Sequence, residues 1–304
     1  MNKFLFFISS LIVSVSVSAK GFNFILANPP GSSSDFVART VAKAYNELTG
    51  NKLILHHLPG GDHILAVQKF VSSTQPVVLL GSTTMHIFNP VFKSSLPYSD
   101  SDFDHVAWIG STPHIWYVRR DSKYQSFSEV NLAINNNYSV TIGVDAQSTQ
   151  VNVVSIQKSR PENKNITMVP YKGSPQVLAD ILGGHIDMAV SSLSNALVNL
   201  AAEGQIRILA STSDRNIMIN SVEIPMASKY LRTAQFDGGF LLSINSNFRN
   251  TEENKQLKKD LTAAIKSDYV KQELSKINII VDIKNSADTM HHLMTYRDRL
   301  QIIK

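Results

Sequence analysis

The chain contains 304 residues, of which 43% are hydrophobic, and its formal net charge is +5. This length fits one large domain or two of ordinary size, with enough apolar residues for a sizeable core. The chain has no cysteine, which excludes disulfide frameworks and cysteine-rich metal sites. Basic residues alternate with acidic ones around Lys258 and Lys259, a pattern typical of a solvated helix face, so we expect no nucleic-acid partner.

Residues 1–19 have the pattern of a secretory signal peptide. Lys3 supplies the positive start, Phe4–Val17 is apolar with interspersed serines, and Ser18 and Ala19 offer small residues at a cleavage site. The apolar run is shorter than the ~20 residues that span a bilayer, so we expect cleavage after Ala19 rather than a membrane anchor. Because no cysteine is present for lipid attachment, the mature chain is expected to be soluble and exported.

Short apolar runs alternate with amphipathic ones in the first third of the chain. Their order, βαβαβ, implies a mainly parallel sheet covered by helices. The predicted elements are strands Phe22–Leu26, Lys52–His56 and Val77–Leu80 and helices Asp35–Leu48 and Ile64–Val71. Two more predicted strands, Val106–Gly110 and Ile115–Arg119, follow.

A second unit of the same kind comes next. Its first helix, Ser126–Asn135, starts with a capping box formed by Ser126 and Glu129. A strand at Thr141–Val144 leads into a predicted turn at residues 146–150. The later predicted elements are helices Val151–Lys158, Ser174–Leu182 and Ser194–Glu203 and strands Ile166–Val169, Met188–Val190 and Ile208–Ser211.

The C-terminal part is expected to return to the first unit, through a strand at Phe240–Ile244 and helices Glu252–Ser267 and Asp288–Leu300. The sequence therefore predicts an α/β protein with two lobes, each a mixed sheet flanked by helices. Lobe one comprises residues 20–115 and 236–304, and lobe two comprises residues 116–235. Two such lobes in an exported protein suggest a binding protein that closes on its ligand.

Ligands of open α/β sheets bind at the loops that follow the carboxyl ends of the strands. The loops in question are Asn28–Asp35, Gly81–Thr84, Asp145–Gln150 and Ser191–Asn195. The first of them, NPPGSSSD, holds no strong nucleophile, but a helix N-terminus with a glycine and three serine hydroxyls suits an anion. Asp35 is interpreted as the N-cap or the first-turn acid rather than as a ligand contact, and simple helix capping is the alternative explanation of the whole turn.

Several stretches carry a family resemblance. They are NPPGSSSDFVARTVAKAYNELTG, LPGGDHILAV, LLGSTTMHIFNP, LPY and, most specifically, VPYKGSPQVLADILGGHIDMAVSSLSNALVNLAAEGQIRILASTS. In order and spacing they resemble the Bug-type extracytoplasmic solute receptors, which are the substrate-binding components of tripartite tricarboxylate transporters. The resemblance covers residues 22–245, and the C-terminal part is similar only in pattern.

The resemblance implies a periplasmic-binding-protein (Venus flytrap) fold, a periplasmic location and a small carboxylate or amino-acid ligand. It also implies membrane transporter subunits as partners, and we expect a monomer without catalytic residues, cofactor or metal. In this family the first strand–helix turn of each lobe grips the ligand carboxylate. With the strand-end loops, the candidate ligand-binding residues are Pro30, Gly31, Ser32, Ser33, Ser34, Thr83, Thr84, Gln147, Ser148, Thr149, Gln150, Ser191 and Ser192.

The chain departs from the family pattern at several points. Leu58 stands where the family has arginine, Asn152 where it has histidine, and Ser191-Ser192 where an Asp-Asn pair is common. The turn that opens lobe two, Val144–Gln150, lacks the several glycines usual in the family, and its Asp145 and Gln147 could favour a ligand with a donor group such as an amine. Residues usually present between the second helix and the third strand are absent around Thr74–Pro76.

Other chemistry is weakly indicated. The sequence has no G-x-S-x-G elbow, Walker A loop or G-x-G-x-x-G turn, which argues against a hydrolase or nucleotide enzyme. His56 and His57 would point to opposite faces of a strand, so with His63 they are interpreted as loop or surface residues, as is the His291-His292 pair. Trp108 and Trp116 are expected to pack in the core or against the cleft. A ligand sensor that signals to a membrane kinase remains the alternative to a transport receptor.

Overall fold

The computed structural model describes residues 20–145, 147–171, 173–230 and 236–301. The predicted signal peptide lies outside these residues. The strands are β1 (Gly21–Leu26), β2 (Lys52–His57), β3 (Val77–Ser82), β4 (Phe103–Thr112), β5 (His114–Arg119), β6 (Val140–Val144), β7 (Ile166–Pro170), β8 (Met188–Ser192), β9 (Ile206–Ser211), β10 (Ile217–Ile219), β11 (Val222–Ile224), β12 (Gly238–Asn245) and β13 (Ile280–Asn285). The α-helices are α1 (Ser33–Thr49), α2 (Ile64–Val71), α3 (Asn89–Phe92), α4 (Phe127–Asn135), α5 (Gln147–Ser159), α6 (Ser174–Gly183), α7 (Asn195–Ala202), α8 (Glu252–Lys266), α9 (Asp268–Ser275) and α10 (Ser286–Gln301).

The first sheet has six strands in the order β13-β4-β12-β3-β1-β2. Strand β1 pairs in parallel with β2 and β3, and β12 pairs antiparallel with β3 and β4. Helix α1 begins after the cap Ser32 and ends at Gly50, whose positive φ of 74° closes the last turn. Its apolar face packs in one core with Leu257 and Leu261 of α8, which confirms that the C-terminal helices return to the first sheet.

The second sheet has five strands in the order β7-β6-β8-β5-β9. Strand β6 pairs in parallel with β7 and β8, whereas β5 is antiparallel to β8 and β9. One face packs around the fully buried Trp116, and the other around Tyr117 and Ile181. The α/β fold with two mixed sheets flanked by helices therefore agrees with the prediction.

The chain crosses between the sheets from β4 to β5 and returns between β9 and β12. Strand β5, which contains Ile115, belongs to the second sheet. The division into lobes at residues 115 and 235 stays a prediction. Among the residues that the structure describes, no helix has both the length and the apolar character required to cross a membrane.

Most predicted elements are present, but some local predictions are wrong. Helix α5 begins at Gln147, so the predicted turn at residues 146–150 is largely the first turn of this helix. Glu129 accepts a hydrogen bond from the amide of Gln125, not of Ser126, at 2.5 Å, so the capping box is incomplete. His292 is half-buried, with its ring 4.5 Å from that of Trp108, and only His291 is exposed as predicted.

A close approach of β12 to β4 explains a buried glycine and leads to a test. A Cβ on Gly239 would overlap the ring of Trp108, whose side chain is only 2% exposed and cannot move aside. We expect Gly239→Ala to lower the free energy of unfolding by about 3 kcal/mol through overpacking, measured by urea denaturation. The neighbouring change Gly238→Ala is the control, since its Cβ would meet the Thr112 carbonyl oxygen at an ordinary 3.7 Å. Equal losses in the two variants would contradict this explanation.

Candidate functional site

The turn between β1 and α1 is held by its own side chains. Ser32 is the N-cap: its Oγ accepts from the amide of Asp35 at 3.2 Å and donates to the Pro29 carbonyl at 2.8 Å. The Oγ of Ser34 donates to Asn28 Oδ1 at 3.0 Å. Gly31 has a φ of +82°, which a residue with a Cβ adopts only at a cost, so glycine permits the bend into the helix.

Two backbone donors in this turn point to no internal acceptor. The amides of Ser33 and Ser34, the first two residues of α1, have no hydrogen-bond acceptor among the described residues. The Ser33 side chain is exposed and that of Ser34 is partly exposed. Free amides at the positive end of a 17-residue helix form a favourable place for an anion. The amide of Gly31 is not part of this pair, because it donates to Asp35 Oδ2 at 2.9 Å.

Asp35 is the first-turn acid of α1, as predicted, but it is not the N-cap. Asp35 is only 6% exposed. Its carboxylate accepts hydrogen bonds from the Gly31 amide at 2.9 Å and from Arg39 Nε at 3.0 Å, and it lies 2.8 Å from His57 Nε2. Burial alone would raise the pKa of this carboxyl, but the hydrogen bonds from Arg39, Gly31 and His57 outweigh it and lower the pKa to about 2. Asp35 is therefore an anion that ties the turn to α1 and β2.

The loop after β3 is largely closed. Thr83 is buried and Thr84 half-buried, and Thr84 begins a π-helical turn, Thr84–Phe88. The Oγ of Ser82, the last residue of β3, lies 2.9 Å from Nδ1 of His63. His63 thus braces the loop after β2 against the loop after β3. His56, as predicted, lies on the other face of β2 from His57 and is 2.9 Å from Asn23 Oδ1.

The corresponding turn of the second sheet lies between β6 and α5. Thr149 is fully buried, and its Oγ1 lies 3.2 Å from both the amide and the Oδ1 of Asp145. The hydroxyl of Ser174, at the start of α6, donates to Asp145 Oδ2. Ser148 and Gln150 are half-buried. Asp145 is therefore occupied by neighbours within its own lobe, which leaves it poorly placed to select a ligand with a donor group.

The last predicted loop follows β8. Ser191 is fully buried, with its Oγ 3.2 Å from the hydroxyl of Tyr117, whereas Ser192 is half-buried. Burial raises the pKa of Tyr117, so its hydroxyl stays protonated. Of the predicted residues, the structure leaves at least partly accessible Pro30, Gly31, Ser32, Ser33, Ser34, Thr84, Ser148, Gln150 and Ser192. It buries Thr83, Thr149 and Ser191.

Helix α5 also contacts the first lobe. Val151 packs in one apolar cluster with Ile87, Phe88 and Phe236. One residue on, Asn152 donates from Nδ2 to the Ser148 carbonyl and to His114 Nδ1, both at 3.0 Å. Burial lowers the pKa of His114 to about 3, so this ring is neutral and accepts that bond. The start of α5 is thereby fixed to the crossing between the sheets.

The two crossings meet at a buried polar cluster formed by His114, Thr212 and Asp237. The amide of His114 donates to Thr212 Oγ1 at 2.8 Å, and the hydroxyl of Thr212 donates to Asp237 Oδ1. Thr212 follows β9 of the second sheet, and Asp237 precedes β12 of the first. Sequence reasoning missed this cluster, as it missed the bonds of His57 to Asp35 and of Asn152 to His114, because these contacts join residues far apart in the chain. Only the position of Asn152 carried a signal, as a departure from the family pattern.

A two-lobed α/β fold in which helix N-termini follow parallel strands of both sheets is the architecture expected of a solute-binding protein. The family profile described as "Tripartite tricarboxylate transporter family receptor" matches residues 37–236. The chain belongs to this family, which is one of receptors and not of enzymes, and the predicted Bug-type resemblance is confirmed. Among the described residues, no group of three or more His, Asp or Glu side chains is arranged to hold a metal.

The similar proteins agree with this assignment. BugT of Bordetella pertussis is 23% identical over 65% of this chain and 62% of its own length. A protein from the tcbD-tcbE intergenic region of Pseudomonas sp. (strain P51) is 23% identical over 67% of this chain and 62% of its own length. The chain thus spans less than two thirds of the curated relatives it matches.

Solved structures show the same fold over nearly the whole chain. A TctC solute-binding protein from Polaromonas has a TM-score of 0.73 at 17% identity, covering 94% of this chain and 99% of its own. A Rhodopseudomonas palustris protein solved with adipate has a TM-score of 0.74 at 18% identity, covering 93% and 96%. MatC of the same organism, solved with malate, has a TM-score of 0.70 at 16% identity, covering 93% and 99%.

Proposed function

We propose that this protein is a periplasmic receptor that captures a small carboxylate between its two lobes and delivers it to the membrane subunits of a tripartite tricarboxylate transporter. The observation that carries the proposal is the pair of free amides at Ser33 and Ser34 on the N-terminus of α1. An anion accepts from such amides without displacing an existing bond. The adipate and malate named for two structures of the same fold support a carboxylate as the ligand class.

In this proposal the second arm is the first turn of α5, with Ser148 and Gln150 as the direct contacts and Ser192 and Thr84 beside them. Pro30 and Gly31 shape the first arm. Thr83, Thr149 and Ser191 are buried and act by positioning the loops that carry the contacts. Gln147 completes the second arm through its place at the start of α5. Ligand contacts with both lobes favour the closed state, which the transporter recognises.

A proline substitution tests the first arm without disturbing the helix. Ser33 is the first residue of α1, where proline is well tolerated, and Ser32 has the extended backbone (ψ 165°) that precedes proline readily. We expect Ser33→Pro to lower carboxylate affinity about tenfold or more, because it removes one charge-assisted amide donor. The ligand is first identified by thermal shift with dicarboxylates, aromatic acids and amino acids, and affinity is then measured by calorimetry.

Ser33→Ala is the matched control, since it removes the hydroxyl and keeps the amide. The melting temperature of both variants without ligand should stay close to that of the unsubstituted protein. No thermal shift with any carboxylate, or equal affinity in the proline variant, would overturn the proposal. Uptake of the identified ligand by cells that carry the membrane subunits tests delivery, and size-exclusion chromatography tests the predicted monomer.

A further inference from the structure

A cavity lies on the face of the first sheet that carries α2, away from the turns just described. Its volume is about 460 Å³, and no residue of the proposed ligand-binding turns lines it. The walls come from β1, β2, β3, α2 and the connection that follows α2. Its size is that of pockets that bind small organic molecules.

The cavity exists because one face of this sheet is incompletely covered. The face toward α1 packs against α1, α8 and α9, whereas the opposite face is covered by α2, which has only 8 residues. Ala66, Val67 and Phe70 of α2 pack over the β1 and β3 side of that face. The chain then returns to β3 through the short connection Ser72–Pro76. The sheet surface nearer β2 is left open.

The cavity has an apolar floor and a polar rim, and the rim carries the positive charge of Lys69. Ile25 and Val77 form the floor and Leu65, 53% exposed, stands at the side. The rim carries hydroxyl and amide groups from residues 72–75, together with His56 and Asn23, which bond to each other. Lys69 supplies a positive charge to the lining, and no carboxylate lines the cavity. Among the described residues, Lys69 forms no ion pair.

We propose that this cavity is a second ligand site, which binds a small amphiphilic monocarboxylate. An aliphatic or single-ring body would cover Ile25, Leu65 and Val77, and the carboxylate would pair with Lys69. The Ser72 hydroxyl, which donates to the Lys69 carbonyl at 3.3 Å, would turn to donate to the carboxylate. Apolar burial favours the body of such a ligand, and the unpaired cation favours its head. The site is separate from the turns that hold the transported solute and does not rest on the function proposed above.

Hexanoate is a suitable test compound, with hexanol as its uncharged counterpart. In ¹H–¹⁵N spectra of the full chain without its signal peptide, hexanoate should shift the amides of residues 69–75 and those of β1 around Ile25. Hexanol should shift the same amides at several-fold higher concentration, because it lacks the charge that pairs with Lys69. Shifts confined to residues 28–35 and 147–152, or no saturable shift at all, would overturn the proposal.

Two substitutions separate this site from the rest of the surface. Lys69→Gln should weaken hexanoate binding about tenfold, whereas Lys259→Gln, an exposed lysine on α8, should leave it unchanged. Leu65→Trp should block the cavity and abolish the shifts at residues 69–75 in a chain that melts normally. Hexanoate binding in Ser33→Pro should equal that of the unsubstituted protein. Equal affinities in Lys69→Gln and Lys259→Gln would show that no built site is present.

Discussion

Replacing Asp35 by asparagine is expected to destabilise the protein by about 2 kcal/mol at pH 7 and to weaken carboxylate binding. This side chain joins the Gly31 amide, Arg39 and His57, and so holds the turn that presents the free amides of Ser33 and Ser34. Asparagine keeps one acceptor oxygen but loses the charge. The size of the effect follows from the lowering of the Asp35 pKa from 3.8 to about 2 at ~1.4 kcal/mol per unit.

The pH dependence of this effect has a definite sign. A carboxyl whose pKa is lower in the folded state contributes stability above its unfolded pKa, and the contribution is lost as the pH falls through the folded pKa. The difference in unfolding free energy between the unsubstituted protein and Asp35→Asn should therefore be constant from pH 7 to about 5. It should shrink from pH 4 toward 2, measured by urea denaturation at each pH.

An exposed ion pair on the same helix supplies the control. Lys43 and Glu47 are 3.9 Å apart on α1 with side chains 58% and 59% exposed, so Glu47→Gln should cost no more than about 0.5 kcal/mol. If Asp35→Asn were as mild as Glu47→Gln, the carboxylate would not be what holds the turn. If Asp35→Asn destabilised the fold but left ligand affinity unchanged, the link from this turn to the proposed site would be wrong.

Features held by residues close together in the chain could be predicted from the sequence, whereas features held by distant residues could not. The turn before α1 could be predicted, because Ser32, Gly31 and Asp35 act within a few residues of one another through capping and backbone geometry. The start of α5 could not, since the stretch from Asp145 to Gln150 contains no glycine to mark a turn and no serine or threonine immediately before the helix. Asp145, which precedes this helix, accepts a hydrogen bond from Ser174, 29 residues further on.

The buried contacts where the chain crosses between the sheets could not be predicted from the sequence either, because their partners are far apart in the chain. His114 and Thr212 are 98 residues apart, and Asp35 and His57 are joined only because β1 and β2 pair in parallel. Strand β13 was missed because its pairing with β4 is interrupted by a register shift, so its residues show no clean alternation of buried and exposed positions. The periodicity of apolar residues thus predicted most strands and helices, whereas the side-chain contacts between them became visible only in the three-dimensional structure.

Asp237 is a buried carboxyl whose pKa is shifted in the direction opposite to that of Asp35, so its effect on stability has the opposite pH dependence. Its side chain is 5% exposed, and burial together with the nearby Asp214 raises its pKa to about 7, against the weaker lowering by the Thr212 hydroxyl and the His114 amide. A carboxyl with a raised pKa in the folded state stabilises the fold at low pH, and the contribution is lost as the pH rises through the folded value. The span from 3.8 to about 7 corresponds to about 4 kcal/mol.

We therefore expect Asp237→Asn to be more stable than the unsubstituted protein at pH 8, and the difference to shrink as the pH falls from 7 toward 4, in urea denaturation series. Asparagine keeps the acceptor for Thr212 and cannot ionise. Comparing the two proteins is essential, because the buried His114, whose pKa is lowered to about 3, makes both chains less stable as the pH falls below 6.5. The difference between the unfolding free energies of the two proteins cancels the contribution of His114 and leaves the contribution of the Asp237 carboxyl.

The exposed neighbour Asp214 supplies the control for this prediction. Asp214→Asn should lower the pKa of Asp237 slightly, because removal of a nearby negative charge makes ionisation easier. The stability loss with rising pH should therefore be slightly smaller and should end at a slightly lower pH than in the unsubstituted protein. Parallel stability profiles for the unsubstituted protein and Asp237→Asn would contradict the buried-carboxyl explanation. Thr212 follows β9 and Asp237 precedes β12, so a confirmed result would place a group that titrates near neutral pH where the chain crosses between the two sheets.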